Sequence, residues 1–161
     1  MMKDIFESIS QELLTRINQW EPKLLALPGK VISQRKNSQN RTIKQILGHM
    51  CDSATNNTHR VIHLQYQESP LVYPNYATLG NNDRWIAIQH YQEEDWKVLV
   101  PMWKYLNIHY AYIIRFIDVS KLKNVWISGP EKHISLEEMV IDFSRHFYLH
   151  LKEIQELIDQ S

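Results

Sequence analysis

The stretch SRHFYLHLKE, residues 144–153, sets His146 and His150 four residues apart in a segment otherwise rich in Phe, Tyr and Leu. On a helix that spacing stacks two imidazoles one turn apart on one face. Neutral imidazoles so placed can grip a divalent cation, as the first two ligands of an HExxH helix do. The intervening residues lack the glutamate of that motif, so the pair brings ligand geometry without a built-in base. The competing reading is plainer: each ring packs inside and satisfies one nitrogen with a carbonyl or a water.

At roughly 100° per residue, Met139, Phe143, His146, His150, Ile154 and Leu157 share one narrow arc, the inward stripe of an amphipathic helix. Both histidines therefore face the interior or a cleft opening from it. A third imidazole would favour metal, and eight histidines are available. His49, in ILGHMCDSATNNTHR, borders an apolar arc of Ile43, Leu47, Met50, Ala54 and Val61. It aligns with Ser53, Asn56 and Arg60 in a polar strip beside the core. Surface solvation explains the strip equally well for Arg60, whereas the small Gly48 beside His49 allows a close approach to a neighbouring helix. Cys51 lies nearly opposite, cannot join His49 on one ion, and reads as structural or partly exposed. His109, after Trp103 and Asn107, is a competing candidate: it lines the same cleft or is an interior ring with one hydrogen bond. His59, His63, His90 and His133 sit among charged or loop residues and read as solvated.

Two carboxylates stand near these rings. Asp52 is about one turn from His49, and Glu153 is one turn beyond His150. Either could orient an imidazole N–H or act as a base, although Glu153 also reads as an ordinary surface carboxylate. Asn56 and Arg60 could meet an anionic substrate, so Asp52, Asn56 and Arg60 are the catalytic candidates. Tyr73, Tyr76, Trp85 and Trp126 either roof an apolar pocket or pin long loops to the core.

Four helical stretches must position these side chains. The first runs from about Asp4 to Leu25, with Ile5, Ile9, Leu13, Ile17 and Trp20 at helical spacing. Pro28 and Gly29 close it, and SQRKNSQN reads as a loop. A capping box of Thr42 and Gln45 opens the second, which reaches about Gln67. ESPLVYPNYATLGNND is a long crossover of the kind that covers clefts. The third region, about Asp83 to Ile117, reads as a short piece and a long one, with Pro101 expected to kink or interrupt it. SGP at 128–130 is a turn. Ser135 and Glu138 form a second capping box, and the last helix runs to about Ile158. The architecture expected is an all-α four-helix bundle with long crossovers, one domain over residues 1–161.

Eighteen basic residues balance eighteen acidic ones among 161. No basic surplus is present to follow a phosphate backbone, so nucleic acid is not an expected partner. No apolar run is long enough to span a bilayer, the first residues are charged and amphipathic rather than signal-like, and the single cysteine suits a reducing compartment. A cytoplasmic protein without membrane contact is the expectation.

IKQILGHMCDSATNNTHR, DFSRHFYLHLKEI and the intervening DRWIAIQHYQEEDWKVLVPMWKYLNIHYAYII together resemble the DinB/YfiT-like superfamily of metalloenzymes, with Trp85, Tyr91, Trp96, Trp103 and Asn107 in matching places. The similarity runs from about Trp20 to Leu157. It implies a four-helix bundle with one histidine on the second helix and two on the fourth, holding a divalent metal: His49, His146 and His150. The family's last helix often reads His-x-x-His-His-Leu-x-Gln-Ile. Here Leu149 replaces the middle histidine and Glu153 the glutamine, and residue 149 points aside from the other two.

Three imidazoles suit zinc or nickel and leave positions open for water or substrate. Such a cation can bring bound water to a pKa near ~7 for hydrolysis, or ionise a thiol for transfer to an electrophile. The resemblance leans toward a thiol-dependent S-transferase, with a hydrolase as the other reading, on a small molecule and with a low-molecular-weight thiol as co-substrate. It also implies a homodimer by analogy. A non-catalytic metal-binding or stress-related scaffold is the other class of function; a closed four-ligand site, or His49 turned to solvent, would favour it.

Overall fold

The computed structural model describes residues 2–160, leaving aside the side chains of Met2, Lys3 and Leu79. Four long helices form the bundle: α1 (Met2–Leu25), α3 (Ile43–Tyr66), α5 (Trp96–Ile113) and α6 (Leu136–Asp159). Two short ones, α2 (Gly29–Gln34) and α4 (Asn81–Ile88), lie in the connections. Around the bundle α1 packs on α5 and α6, and α3 packs on the same two helices. Sequence neighbours α1 and α3 thus sit across the bundle from each other.

Both capping boxes form. The Thr42 hydroxyl accepts from Gln45 N while the Gln45 side chain accepts from Thr42 N, and Ser135 with Glu138 repeats the arrangement at α6. Each satisfies two amide donors that a helix start leaves orphaned. At the far end of α6, Arg35 Nη1 donates to the carbonyls of Leu157 and Ile158, both at 2.9 Å. The core runs through Leu13, Ile17, Leu47, Val61, Leu99, Val140 and Ile154, all essentially inaccessible. Across it Trp103 stacks on Phe147 and Tyr110 meets Phe143. Burying each such side chain stabilises the fold by about 1.5–3 kcal/mol.

Several sequence expectations need correction. On α1 the buried stripe is Phe6, Leu13, Ile17 and Leu24, with Ile5 exposed. The stretch after Pro28 is not all loop: α2 forms there, with Pro28 as its N-cap. Helix α5 begins after Asp95, whose side chain accepts from Lys97 N, and Pro101 does not interrupt it. The carbonyl that loses a donor there belongs to the exposed Lys97, where water can replace the missing bond.

The largest departure from an all-α fold is a three-stranded sheet, β1 (Leu71–Val72), β2 (Val125–Gly129) and β3 (Lys132–Ser135). The central β2 pairs in parallel with β1, Trp126 opposite Leu71, and antiparallel with β3, Trp126 opposite Ile134. Ser128 and Gly129 therefore belong to a strand, and the turn falls at Pro130 and Glu131. Strands this short carry too few residues for a period of two to be readable. The Trp126 indole donates to Tyr73 O and Asn75 Nδ2 donates to Ser128 O, fastening the 68–80 crossover over one end of the α3–α6 groove.

Candidate metal centre

Helices α3 and α6 run antiparallel along their contact, so successive turns of one meet successive turns of the other in reverse. His49 of α3 faces His150 and His146, with ring centres 4.8 and 5.4 Å away, both edge-on. One turn further, Ser53 Oγ lies 3.4 Å from His146 Nδ1. One nitrogen from each of the three rings falls within 4.8 Å of the others, and the Nε2 atoms of His146 and His150 are 3.0 Å apart. A cation bound at ~2.0–2.1 Å by imidazole nitrogens in tetrahedral array needs nitrogen separations of about 3.3 Å. The His146–His150 pair is within a few tenths of an ångström of that spacing, and the His49 nitrogen would close in by at most about 1.5 Å.

Protonation is set by the neighbours. Glu153 Oε2 lies 2.9 Å from His150 Nδ1. A carboxylate only accepts, so in the neutral ring Nδ1 carries the proton and Nε2 keeps its lone pair for a metal. The Glu153 carboxyl is held below its usual range, mainly by this bond to His150. Burial, followed by the charges of His150, His146 and Arg41, pushes His49 down to about 2. Burial, then His150, lowers His146 to about 4. Both rings are therefore neutral near pH 7, the form that ligates a metal. His49 Nδ1 is buried with no hydrogen-bond partner. That orphaned nitrogen, three imidazoles in register and an oriented His150 suit a divalent cation.

An open cleft of about 770 Å³ adjoins the triad through His146. Ser53, Asn57 and Arg60 of α3 form one wall, the N-terminal half of α6 the other, and Tyr76 and Trp126 close its end. Tyr76 reaches both regions: its ring centre is 6.0 Å from that of His49 and 5.8 Å from Arg60 Cζ.

The remaining candidates are distributed unequally. Asp52 accepts from the Tyr91 hydroxyl at 2.7 Å and Gln89 Nε2 at 2.8 Å, and no hydrogen bond links it to the three imidazoles. It ties the turn at 89–91 to α3, with a carboxyl raised by burial. Asn56 donates to Asp52 O along its own helix; its neighbour Asn57, overlooked in the sequence, lines the cleft instead. Arg60 is buried rather than solvated. His109 is exposed and lines nothing near the triad, because Trp103, Asn107 and Tyr110 take the inward face of α5. Cys51 is buried, and its thiol is pushed well above its ordinary range, first by desolvation. His133 is exposed at the cleft rim, and His59 and His63 stack beside Tyr73 away from the triad. Tyr73 pins β2, whereas Trp85 packs on Tyr76. Glu153 is more than a surface carboxylate; its place three residues after His150 was the signal, since i and i+3 share a helix face.

No protein-family profile and no curated protein matches this chain. Among solved structures, YfiT from Bacillus subtilis matches with a TM-score of 0.77 at 18% sequence identity, over 96% of this chain and 85% of that one. That protein is described as a probable metal-dependent hydrolase with an unusual four-helix bundle topology. The match spans nearly every residue, so the chain shares the four-helix-bundle fold of that structure.

Proposed function

We propose that this protein is a metal-dependent hydrolase of a small molecule bound in the α3–α6 cleft, with His49, His146 and His150 holding the cation. Zinc and nickel are the ions whose borderline character suits three imidazoles. One observation carries the reading: three imidazoles converge beside an open cleft that reaches them through His146, with no fourth protein ligand among the described residues grouped with them. Three-ligand sites are the catalytic pattern, and four-ligand sites the structural one. A cation held by these three residues would supply Lewis acidity to a bound substrate.

The chain's own residues do the rest. Glu153 holds the His150 tautomer, Ser53 steadies His146, and Tyr76 packs beside His49. The description of YfiT supports hydrolysis. S-transfer from a small thiol is the second reading, and the cleft carboxylates favour it. Glu138 is committed to the α6 cap and Asp142 to Arg145, so neither is free as a base. A thiol, with an ordinary pKa near ~8.5, depends on one less than water does.

The test has two stages. Protein purified without a histidine tag is analysed for metal by elemental mass spectrometry, beside His49→Ala and His146→Ala. About one equivalent in the wild type and none in either variant is expected. Normal metal in His49→Ala would refute the triad. The loaded protein is then assayed on ester, amide and electrophile panels with and without added thiol. Turnover lost with chelator supports an enzyme; full occupancy with no turnover on any panel favours a binding protein.

A further inference from the structure

Arg60 is only 4% exposed, yet among the described residues no carboxylate pairs with it, and its Nε and Nη2 are buried without hydrogen-bond partners. Its Cζ stands 3.9 Å from the centre of the Trp126 ring. Stacking engages the face of a guanidinium and leaves its edge donors unused. A buried cation whose donors are unmatched destabilises a fold, so the arrangement calls for a group that the chain itself does not provide. The cleft carboxylates cannot serve, since Glu138 accepts from Ser135 and Asp142 pairs with Arg145. Burial lowers Arg60 to about 10, which leaves it charged at neutral pH.

We infer that Arg60 anchors a carboxylate of the substrate, making the substrate class a small molecule with its carboxylate at one end and its reacting group at the other. The planar fork of guanidinium donors matches a carboxylate edge to edge. The inference rests on the cleft being the substrate site and adds a ruler to it. Tyr76, in reach of both His49 and Arg60, puts the guanidinium carbon no more than about 12 Å from the His49 ring centre. A chain of about six carbons has suitable reach.

The test uses hexanoate, hexanol and 6-mercaptohexanoate as probes, with binding followed on the Trp126 indole N–H signal by 1H–15N NMR. Wild type, Arg60→Lys and Arg60→Gln are compared with and without zinc. Hexanoate is expected to bind metal-free wild type, to lose at least tenfold in Arg60→Gln and less in Arg60→Lys. Hexanol should not distinguish the three. With zinc, 6-mercaptohexanoate should bind wild type more tightly than hexanoate does, and lose that affinity in Arg60→Gln. Removing an unpaired buried charge should leave Arg60→Gln folded, which thermal unfolding checks; if it is unfolded, the hexanoate–hexanol contrast in wild type and the Arg60→Lys affinity decide. Hexanoate binding equally to wild type and Arg60→Gln, or no better than hexanol to wild type, overturns the anchor. Arg60-dependent hexanoate binding in a protein that takes up no zinc would keep the anchor and reject the metal centre.

Discussion

Replacing Glu153 by alanine removes the acceptor that holds the His150 ring. The bond is 2.9 Å long, His150 is buried, and the Glu153 side chain keeps 23% of its accessibility. A hydrogen bond to a charged group is worth about 1.5–3 kcal/mol, and partial exposure places this one toward the lower end, about 1.5–2 kcal/mol. Without it the ring is free to take the other tautomer and rotate, so that loss falls on cation affinity. At 1.4 kcal/mol per decade the expected weakening is about 10–30-fold, within the 10–100-fold common for groups that orient ligands. Glu153→Gln keeps an acceptor oxygen without the charge and should fall between. The assay is competition for zinc against a chromophoric chelator at pH 7.5, with the exposed neighbour Leu149→Ala as control. An affinity within about twofold of wild type in folded Glu153→Ala would refute the orienting role.

Further outcomes are expected. Gly48→Ala should be destabilised, because a Cβ there would lie 2.3 Å from Tyr91 ring carbons. Overpacking of that kind costs about 1–3 kcal/mol or more, or roughly 3–10 °C in Tm for a chain of this size; an unchanged Tm in a thermal melt would mean that the ring simply moves. His133→Ala and His109→Ala should retain the full metal content that His146→Ala loses, as read by elemental analysis, since both residues are exposed and outside the triad. The metal-free protein should lose stability as pH falls below about 6.5. There the unfolded chain protonates imidazoles that the folded state keeps neutral down to about 4 for His146 and about 2 for His49. The slope approaches 1.4 kcal/mol per pH unit for each such ring and vanishes above 6.5; equal urea midpoints at pH 7 and pH 5 with chelator present would contradict it.

Much of the scaffold is legible in the chain because it is local. The Thr42–Gln45 and Ser135–Glu138 boxes act within one turn and mark two helix starts whatever lies around them. The four-residue spacing of His146 and His150 guarantees neighbouring rings on any helix. What lies beyond one helix is less legible. The apolar arc of α6 runs from Met139 and Leu157 through Phe143 and Ile154 to Phe147 and Leu151; His150 lies buried within it and His146 at its edge, and a helix period alone does not separate core from cleft edge there. His109 illustrates the same limit: its apolar neighbours suggested an interior ring, but the rotation of α5 in the bundle turns it outward.

By itself the sequence determined the long helices in outline, the capping boxes that open α3 and α6, and the pair of imidazoles one turn apart, since these follow from propensity, hydrogen bonding and periodicity within a few residues. Only the tertiary structure decided that His49 meets that pair, that Asp52 is spent on Tyr91 and Gln89, and that Trp126 lies under Arg60. The last depends on β2 pairing with a strand more than fifty residues earlier in the chain. Contacts between distant segments are set by how whole faces pack, and no window of local sequence carries that information.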